Sequence, residues 1–230
     1  MKSNIDKMME YAATVPELGH GGQSIKDYLV KYASQVSPRY DIVDIAPWFG
    51  ATTVYMAIGL ISNGNHGTKI NSYDLWKMDK TYIGKMKSRH GINYPEGDAH
   101  EYFFDSVEPF RGYINSFKQD ITKPIEYTGK PIGLFCDDIC SRKSDIDGAL
   151  KNFSSYFVKG MTILIMMDYY YFKLNDPAYR ESRFSYADRF FKINKTVFHS
   201  MESTHNENLT SGIAHIFRYM GGEINYGVDE

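Results

Sequence analysis

The chain has 230 residues, more than one typical domain of about 150, so one large domain or a core with a cap is expected. Lys and Arg total 26 against 28 Asp and Glu, a net charge of −2, which argues against a protein whose main task is coating a phosphate backbone. With 43% hydrophobic and 23% charged residues the composition excludes disorder and allows a sizeable core without staples.

The two cysteines, Cys136 and Cys140, lack the spacing of a zinc knuckle or redox pair, so reduced structural thiols in a cytoplasmic protein are expected. The longest apolar runs, Val54–Ile61 and Met161–Met167, fall short of the ~20 residues that cross a bilayer. Asp6 and Glu10 interrupt the opening segment where a signal peptide needs an apolar stretch.

Residues 1–37 read as a helical cap. Ser3 with Asp6, and Ser24 with Asp27, are candidate caps of two helices. Ile25, Tyr28, Leu29, Tyr32, Ala33 and Val36 make one apolar stripe in the second. Pro16–Gln23, which holds His20 among glycines, reads as a joint between them. From residue 38 short β-branched runs alternate with helical stretches. Strands are expected at Asp41–Ala46, Lys69–Tyr73, Tyr113–Lys118, Pro131–Cys136 and Thr162–Met167. Helices are expected at Ala51–Ser62, Lys77–His90, Ala99–Val107 and Asp145–Val158. This alternation predicts βαβ units and a doubly wound, mostly parallel sheet. A helix over Ala178–Lys192 then leads to two successive strand-like runs, Thr196–Met201 and Ile213–Tyr219, which predict an antiparallel pair at one edge.

The first strand exits through Asp44-Ile45-Ala46-Pro47-Trp48-Phe49-Gly50 into a helix, a turn in which backbone N–H groups can approach a ligand past Gly50. Alone, this is equally an ordinary strand–helix connection. The second strand ends at Asp74, followed by Leu75 and Trp76, which could pack against a base. Asp74 taken alone is a helix cap or a ribose ligand; beside the first turn the ribose reading is the better one. The next three strands exit at Asp120-Ile121, Asp137-Asp138 and Asp168. Ligands of such sheets sit at the carboxyl ends of the strands, and every inferred parallel strand carries an aspartate there. The G-x-G-x-x-G fingerprint of nicotinamide and flavin enzymes is absent.

In this order and spacing, residues 38–220 resemble the class I S-adenosylmethionine-dependent methyltransferases, nearest to the macrocin and mycinamicin type of small-molecule O-methyltransferase. The resemblance implies an α/β, Rossmann-like domain over residues 38–230, with a seven-stranded sheet whose last strand is antiparallel. It implies that Asp44, Ala46 and Gly50 line the methionine end of S-adenosyl-L-methionine. Asp74 would take the ribose with Leu75 beside it, and Asp120 the adenine amino group with Ile121 beside the ring. The family usually carries Glu and Gly where this chain has Asp44 and Ala46. It often reads Asp-Gly-Asp-His where this chain reads Asp137-Asp138-Ile139-Cys140. Asp137 and Asp168 match the carboxylates of relatives that bind Mg²⁺, with Asp138 as a third candidate ligand.

The implied activity is methylation of a small-molecule hydroxyl, on a sugar or secondary metabolite, with no nucleic-acid or membrane partner and homo-oligomerisation left open. Asp137 and Asp168 would face the acceptor hydroxyl, either through a metal that lowers its pKa or as direct bases. The alternative is a catalytically degenerate nucleotide-fold binding module. His199 and His215 read first as structural, His20 as a cap residue near the cofactor, and His90 and His100 have no assigned role. The aromatics from Tyr169 to Phe191, with Arg180, Arg183 and Arg189 among them, read as packing against the sheet and, in part, as walls of an anionic acceptor's pocket.

Overall fold

The computed structural model describes residues 2–17, 23–139, 142–170, 173, 185–203 and 214–227. The helix α1 (Asn4–Ala12) opens with the expected capping box: the Ser3 hydroxyl accepts from the Asp6 N–H, and the Asp6 carboxylate accepts from the Ser3 N–H. The next helix, α2 (Gln23–Ser34), starts before Ser24, so Ser24 is inside the helix and not its cap. His20 lies outside the described residues.

The sheet follows from period-two alternation. Strand β1 (Asp41–Ile45) turns Ile42 toward one side and Val43 and Ile45 toward the other. The first side is covered by α1, α2, α3 (Ala51–Ser62) and α5 (His100–Val107). The second is covered by α6 (Lys143–Phe153) and α7 (Tyr186–Ile193). Strands β2 (Ile70–Asp74), β5 (Ile114–Lys118), β6 (Ile132–Asp137) and β7 (Ile163–Met166) run parallel to β1. The strand β9 (His215–Tyr219) is antiparallel to β7, and β8 (Phe198–Ser203) pairs with its outer edge. The seven-stranded order is β5-β2-β1-β6-β7-β9-β8, a mostly parallel sheet with an antiparallel pair at one edge, as the alternation and the paired tail strands predict.

Three local expectations shift. Lys77–Met78 is not helical: as β3 it pairs with β4 (Gly97–Asp98), and the helix α4 (Lys80–His90) starts only after Asp79, whose carboxylate caps it. Thr196 and Val197 lie in the turn before β8. The helix expected to run to Val158 ends at Phe153, where a 3-10 turn over Ser154–Tyr156 follows; of the last helix α7 is the described part, and residues 178–184 lie outside the described residues. Helix α2 packs directly on α3: Leu29, Tyr32 and Ala33 share one apolar cluster with it. Gly59 makes that crossing close, since a Cβ there would stand 2.5 Å from the Val30 carbonyl oxygen. No helix among the described residues is long and apolar enough to cross a membrane.

Candidate active site at the carboxyl ends of the strands

Parallel register brings the acidic strand ends into one row. Ile45 of β1 stands opposite Tyr73 on one side and Asp137 on the other, and Asp137 stands opposite Met166. Asp44, Asp74, Asp137, Asp138 and Asp168 therefore share one rim. They feel one another: burial first, then the charges of Asp168, Asp44, Asp137 and Asp74, push the Asp138 carboxyl well above its usual range. Among the described residues, no Lys, Arg or His side chain bonds to Asp44, Asp74 or Asp137.

Asp44 lies on the α3 side of β1 and is fully buried. The first turn of α3 supplies its partners: Thr52 Oγ1 donates at 3.1 Å and Thr53 Oγ1 at 2.5 Å. Two neutral donors do not offset burial, which pushes the Asp44 pKa up to about 7, with the Asp74 charge adding to the rise. Asp137 is also fully buried and is raised to about 7, chiefly by burial and further by Asp145 and Asp168. Its Oδ1 accepts the Ile139 N–H at 2.9 Å, while its Oδ2 has no partner.

Asp74 is a turn organiser. Its Oδ1 accepts the Trp76 N–H at 2.8 Å and its Oδ2 the Trp48 N–H at 3.1 Å, tying the exits of β2 and β1 together. Burial raises its pKa against these bonds. Leu75 stands out at the rim, 48% exposed. Trp76, in contrast, is fully buried: its indole N–H donates to the Trp48 carbonyl at 2.7 Å and its ring stacks on His100 at 4.0 Å. Packing, rather than a base, occupies that ring. Asp120 caps its own turn by accepting the Thr122 N–H and hydroxyl, which holds its pKa down, and Ile121 is buried against the α6 side.

The rim is strained. Among the described residues, the non-glycine residues with positive φ are Ala46 (58°), Trp48 (54°), Trp76 (46°) and Asp168 (60°), all at the exits of β1, β2 and β7. Gly50, at 92°, sits under α5, where a Cβ would meet Val107 Cγ1 at 2.7 Å. Among the described residues, the two buried side-chain polar atoms without a hydrogen-bond partner, Asp137 Oδ2 and Trp48 Nε1, lie at this same rim. Trp48 carried no signal in the sequence reading beyond its place in the turn. Thr52 and Thr53 were equally overlooked, although two hydroxyls opening a helix after an acidic strand end are a recognisable pattern.

The other candidates separate from the row. His199 is exposed. His215 begins β9 and is bonded on both ring nitrogens, to the Tyr170 and Ser200 hydroxyls at 2.7 Å each, and burial lowers its pKa to about 4. His100 touches Ser116 at 3.1 Å, and His90 reaches the Glu17 carbonyl. Tyr169, Tyr186, Phe190 and Phe191 are buried in the α7 layer. Cys140, Arg180 and Arg183 lie outside the described residues; Cys136 is buried and unpaired as a thiol. A cavity of about 210 Å³ bounded by Asp41, Asn71, Tyr73, Asn115 and Tyr127 lies along the β2–β5 flank rather than at the rim. Among the described residues no three His, Cys, Asp or Glu side chains are grouped to hold a metal ion, so Asp137, Asp138 and Asp168 do not fit the Mg²⁺ site expected of them.

A scan against protein-family models finds no match, and a search of curated proteins finds none. Solved structures do align over most of the chain. Cofactor-bound Rv0187 from MTB matches with a TM-score of 0.59 at 10% identity, over 96% of this chain and 92% of that one. The O-methyltransferase TomG from Streptomyces achromogenes, solved with SAM and involved in tomaymycin synthesis, matches at 0.57 and 11% identity, over 95% and 91%. A protein assigned as an rRNA methylase from Clostridium thermocellum matches at 0.55 and 14% identity, over 87% and 96%. At such identities the likeness concerns architecture: the chain shares the fold of solved structures that include an O-methyltransferase bound to SAM and a protein assigned as an rRNA methylase.

Proposed function

We propose that the chain is an S-adenosylmethionine-dependent methyltransferase acting on a hydroxyl oxygen, with a small molecule such as a sugar or secondary metabolite as acceptor. One observation carries the reading: both orphaned buried side-chain atoms, an acceptor on Asp137 and a donor on Trp48, stand on the one rim where strained backbone and buried acids also gather. An unsatisfied buried polar atom costs about 1–3 kcal/mol, so their pairing at one rim supports a polar ligand there. The acid row fits a cofactor that brings a sulfonium and an ammonium group. Neighbours solved with SAM or assigned as methyltransferases support the same cofactor.

The bound cofactor would supply an activated methyl group. The chain's residues would do the rest. Asp44, fixed by Thr52 and Thr53, and the Gly50 turn would hold the methionine end, with Ala46 between them. Asp74 would offer its remaining lone pairs to the ribose hydroxyls, Leu75 would cover the nucleoside, and Asp120 and Ile121 would flank the adenine. Asp137, with a pKa near neutrality, would take the acceptor's proton at Oδ2, and Asp168 would position that hydroxyl.

Calorimetry with S-adenosylmethionine and S-adenosylhomocysteine tests the binding half. Saturation at about 100 times Kd should stabilise the fold by about 2.7 kcal/mol. Labelled-methyl transfer to a panel of hydroxyl compounds tests the rest. The degenerate-module alternative is favoured by the Ala46 methyl at a left-handed position, and binding without transfer by any acceptor would decide for it.

A further inference from the structure

Helix α4 takes no part in the rim chemistry, yet it carries the most lopsided charge of any helix described. It holds Lys80, Lys85, Lys87 and Arg89 and no acidic residue, in a chain with net charge −2. All four side chains are exposed, and among the described residues none forms an ion pair. At about 100° per residue, Met86 and Ile83 point inward and Thr81, Gly84 and Ser88 form the outward ridge. Lys80 and Lys87 flank that ridge on one side, Lys85 and Arg89 on the other. Every residue of the ridge is small and none is a large apolar side chain, which argues against insertion into a lipid surface.

The patch adjoins the rim. Tyr82, 36% exposed, packs at a tilt against Trp48 with ring centroids 4.6 Å apart, and Lys85 Nζ lies 5.6 Å from its ring centroid. Exposed Leu75 stands at the same rim, and exposed Ile92 lies just beyond the end of the helix. Cations on both flanks of a neutral ridge, one of them beside the exposed part of the Tyr82 ring, fit a flexible chain of regularly spaced phosphates with stackable bases.

We propose that α4 is a docking face for single-stranded nucleic acid, the phosphodiester chain lying along the ridge and a base against Tyr82. The inference uses charge and exposure alone and goes beyond the methyl-transfer reading. Nucleic-acid binding can therefore fail while cofactor binding stands, and the reverse.

The test is fluorescence anisotropy of a labelled single-stranded RNA of about 20 nucleotides without cofactor. Four contacts at about −0.7 each give a slope of log K against log salt near −2.8, so binding weakens about fifty-fold between about 50 and 200 mM salt. Joint replacement Lys80→Ala, Lys85→Ala, Lys87→Ala and Arg89→Ala should abolish binding. Lys85→Ala alone should reduce the slope magnitude by about 0.7, and Lys85→Arg should retain it. An unchanged circular-dichroism melt of Lys85→Ala ensures that its smaller slope reports lost contact. No binding at about 50 mM salt overturns the proposal, as does binding that the joint variant leaves intact. Polyglutamate or anionic vesicles binding α4 as tightly as the RNA would overturn it too.

Discussion

Asp137→Asn isolates the energetic consequence of the buried rim. An aspartate in an unfolded chain loses its proton near pH 3.9. In the folded chain Asp137 holds its proton until about pH 7, because burial disfavours the charge and Asp145 and Asp168 repel it. Between those values the folded state binds more protons than the unfolded state, so stability falls as pH rises. The stabilisation is complete below pH 4 and is lost by about pH 7. A shift of about three units at 1.36 kcal/mol per unit amounts to about 4 kcal/mol for a fully buried group. Asp44 titrates in the same sense and range, and the rim acids repel one another, so their effects overlap rather than add. Asparagine keeps the oxygen that accepts the Ile139 N–H and cannot ionise. Urea unfolding of the ligand-free protein across pH 4.5–8 should show the wild type losing several kcal/mol. The variant should show a clearly shallower loss and exceed the wild type at pH 8. A wild-type curve flat over that range, or one that Asp137→Asn leaves unaltered, would refute the reasoning.

Backbone geometry at the rim gives further expectations. Gly50→Ala forces a side chain into left-handed backbone and to within 2.7 Å of Val107 Cγ1; about 2–4 kcal/mol of lost stability is expected in urea melts. Ala46→Gly relieves a left-handed alanine and should be neutral or stabilising by up to about 1 kcal/mol, the opposite sign. Asp74→Asn turns an N–H toward one of two backbone donors, so about 1–3 kcal/mol of stability should be lost, with weaker S-adenosylmethionine binding by calorimetry. Gly59→Ala should loosen the α2–α3 crossing, read as faster amide exchange in both helices, since its Cβ would press on the Val30 carbonyl.

What could be read from residue order was whatever repeats with a period or obeys a short-range rule. The short β-branched run Asp41–Ala46 and the near-continuous apolar run Thr162–Met167 located central strands, and Ser3 with Asp6 located a helix start. Acidic strand ends could be placed on one rim because parallel strands align their exits. Two-residue strands such as Lys77–Met78 are too short to carry a pattern, and there the Asp79 cap was the usable sign. Trp76 was misjudged because nothing local distinguishes a ring facing a ligand from one stacked on His100. The metal reading rested on matching Asp137 and Asp168 to relatives that bind Mg²⁺; the acids do share a rim, but sharing a rim does not by itself give three ligands grouped around one ion. The basic face of α4 was averaged away by net charge, a sum over the whole chain that says nothing about one exposed helix.

The strongest sign that the rim serves a ligand comes from comparing two aspartates on one strand. Asp41, at the amino end of β1, is 4% exposed, and both its oxygens are satisfied: Oδ1 by the Lys69 N–H at 2.9 Å, Oδ2 by the Lys130 N–H at 3.0 Å. Backbone amides of neighbouring segments are aimed at it. The fold thus has the means to satisfy a buried carboxylate completely. At the carboxyl end of the same strand, Asp44 is fully buried and its two oxygens accept from the Thr52 and Thr53 hydroxyls in place of backbone amides, while on the neighbouring strand Asp137 leaves one oxygen bare. Left-handed backbone at Ala46, Trp48, Trp76 and Asp168, at about 1–3 kcal/mol each, adds to the cost at that end alone among the described non-glycine residues. Imperfect packing would scatter such defects over both ends of the strands. Among the described residues they gather at one end, where a cation-bearing, hydrogen-bonding group would restore the stability forgone. Saturating S-adenosylmethionine should therefore flatten the pH dependence of stability expected for the ligand-free protein, because a bound positive charge favours the ionised acids. If the slope between pH 5 and 8 is the same with and without the cofactor, the acids at the rim serve something else.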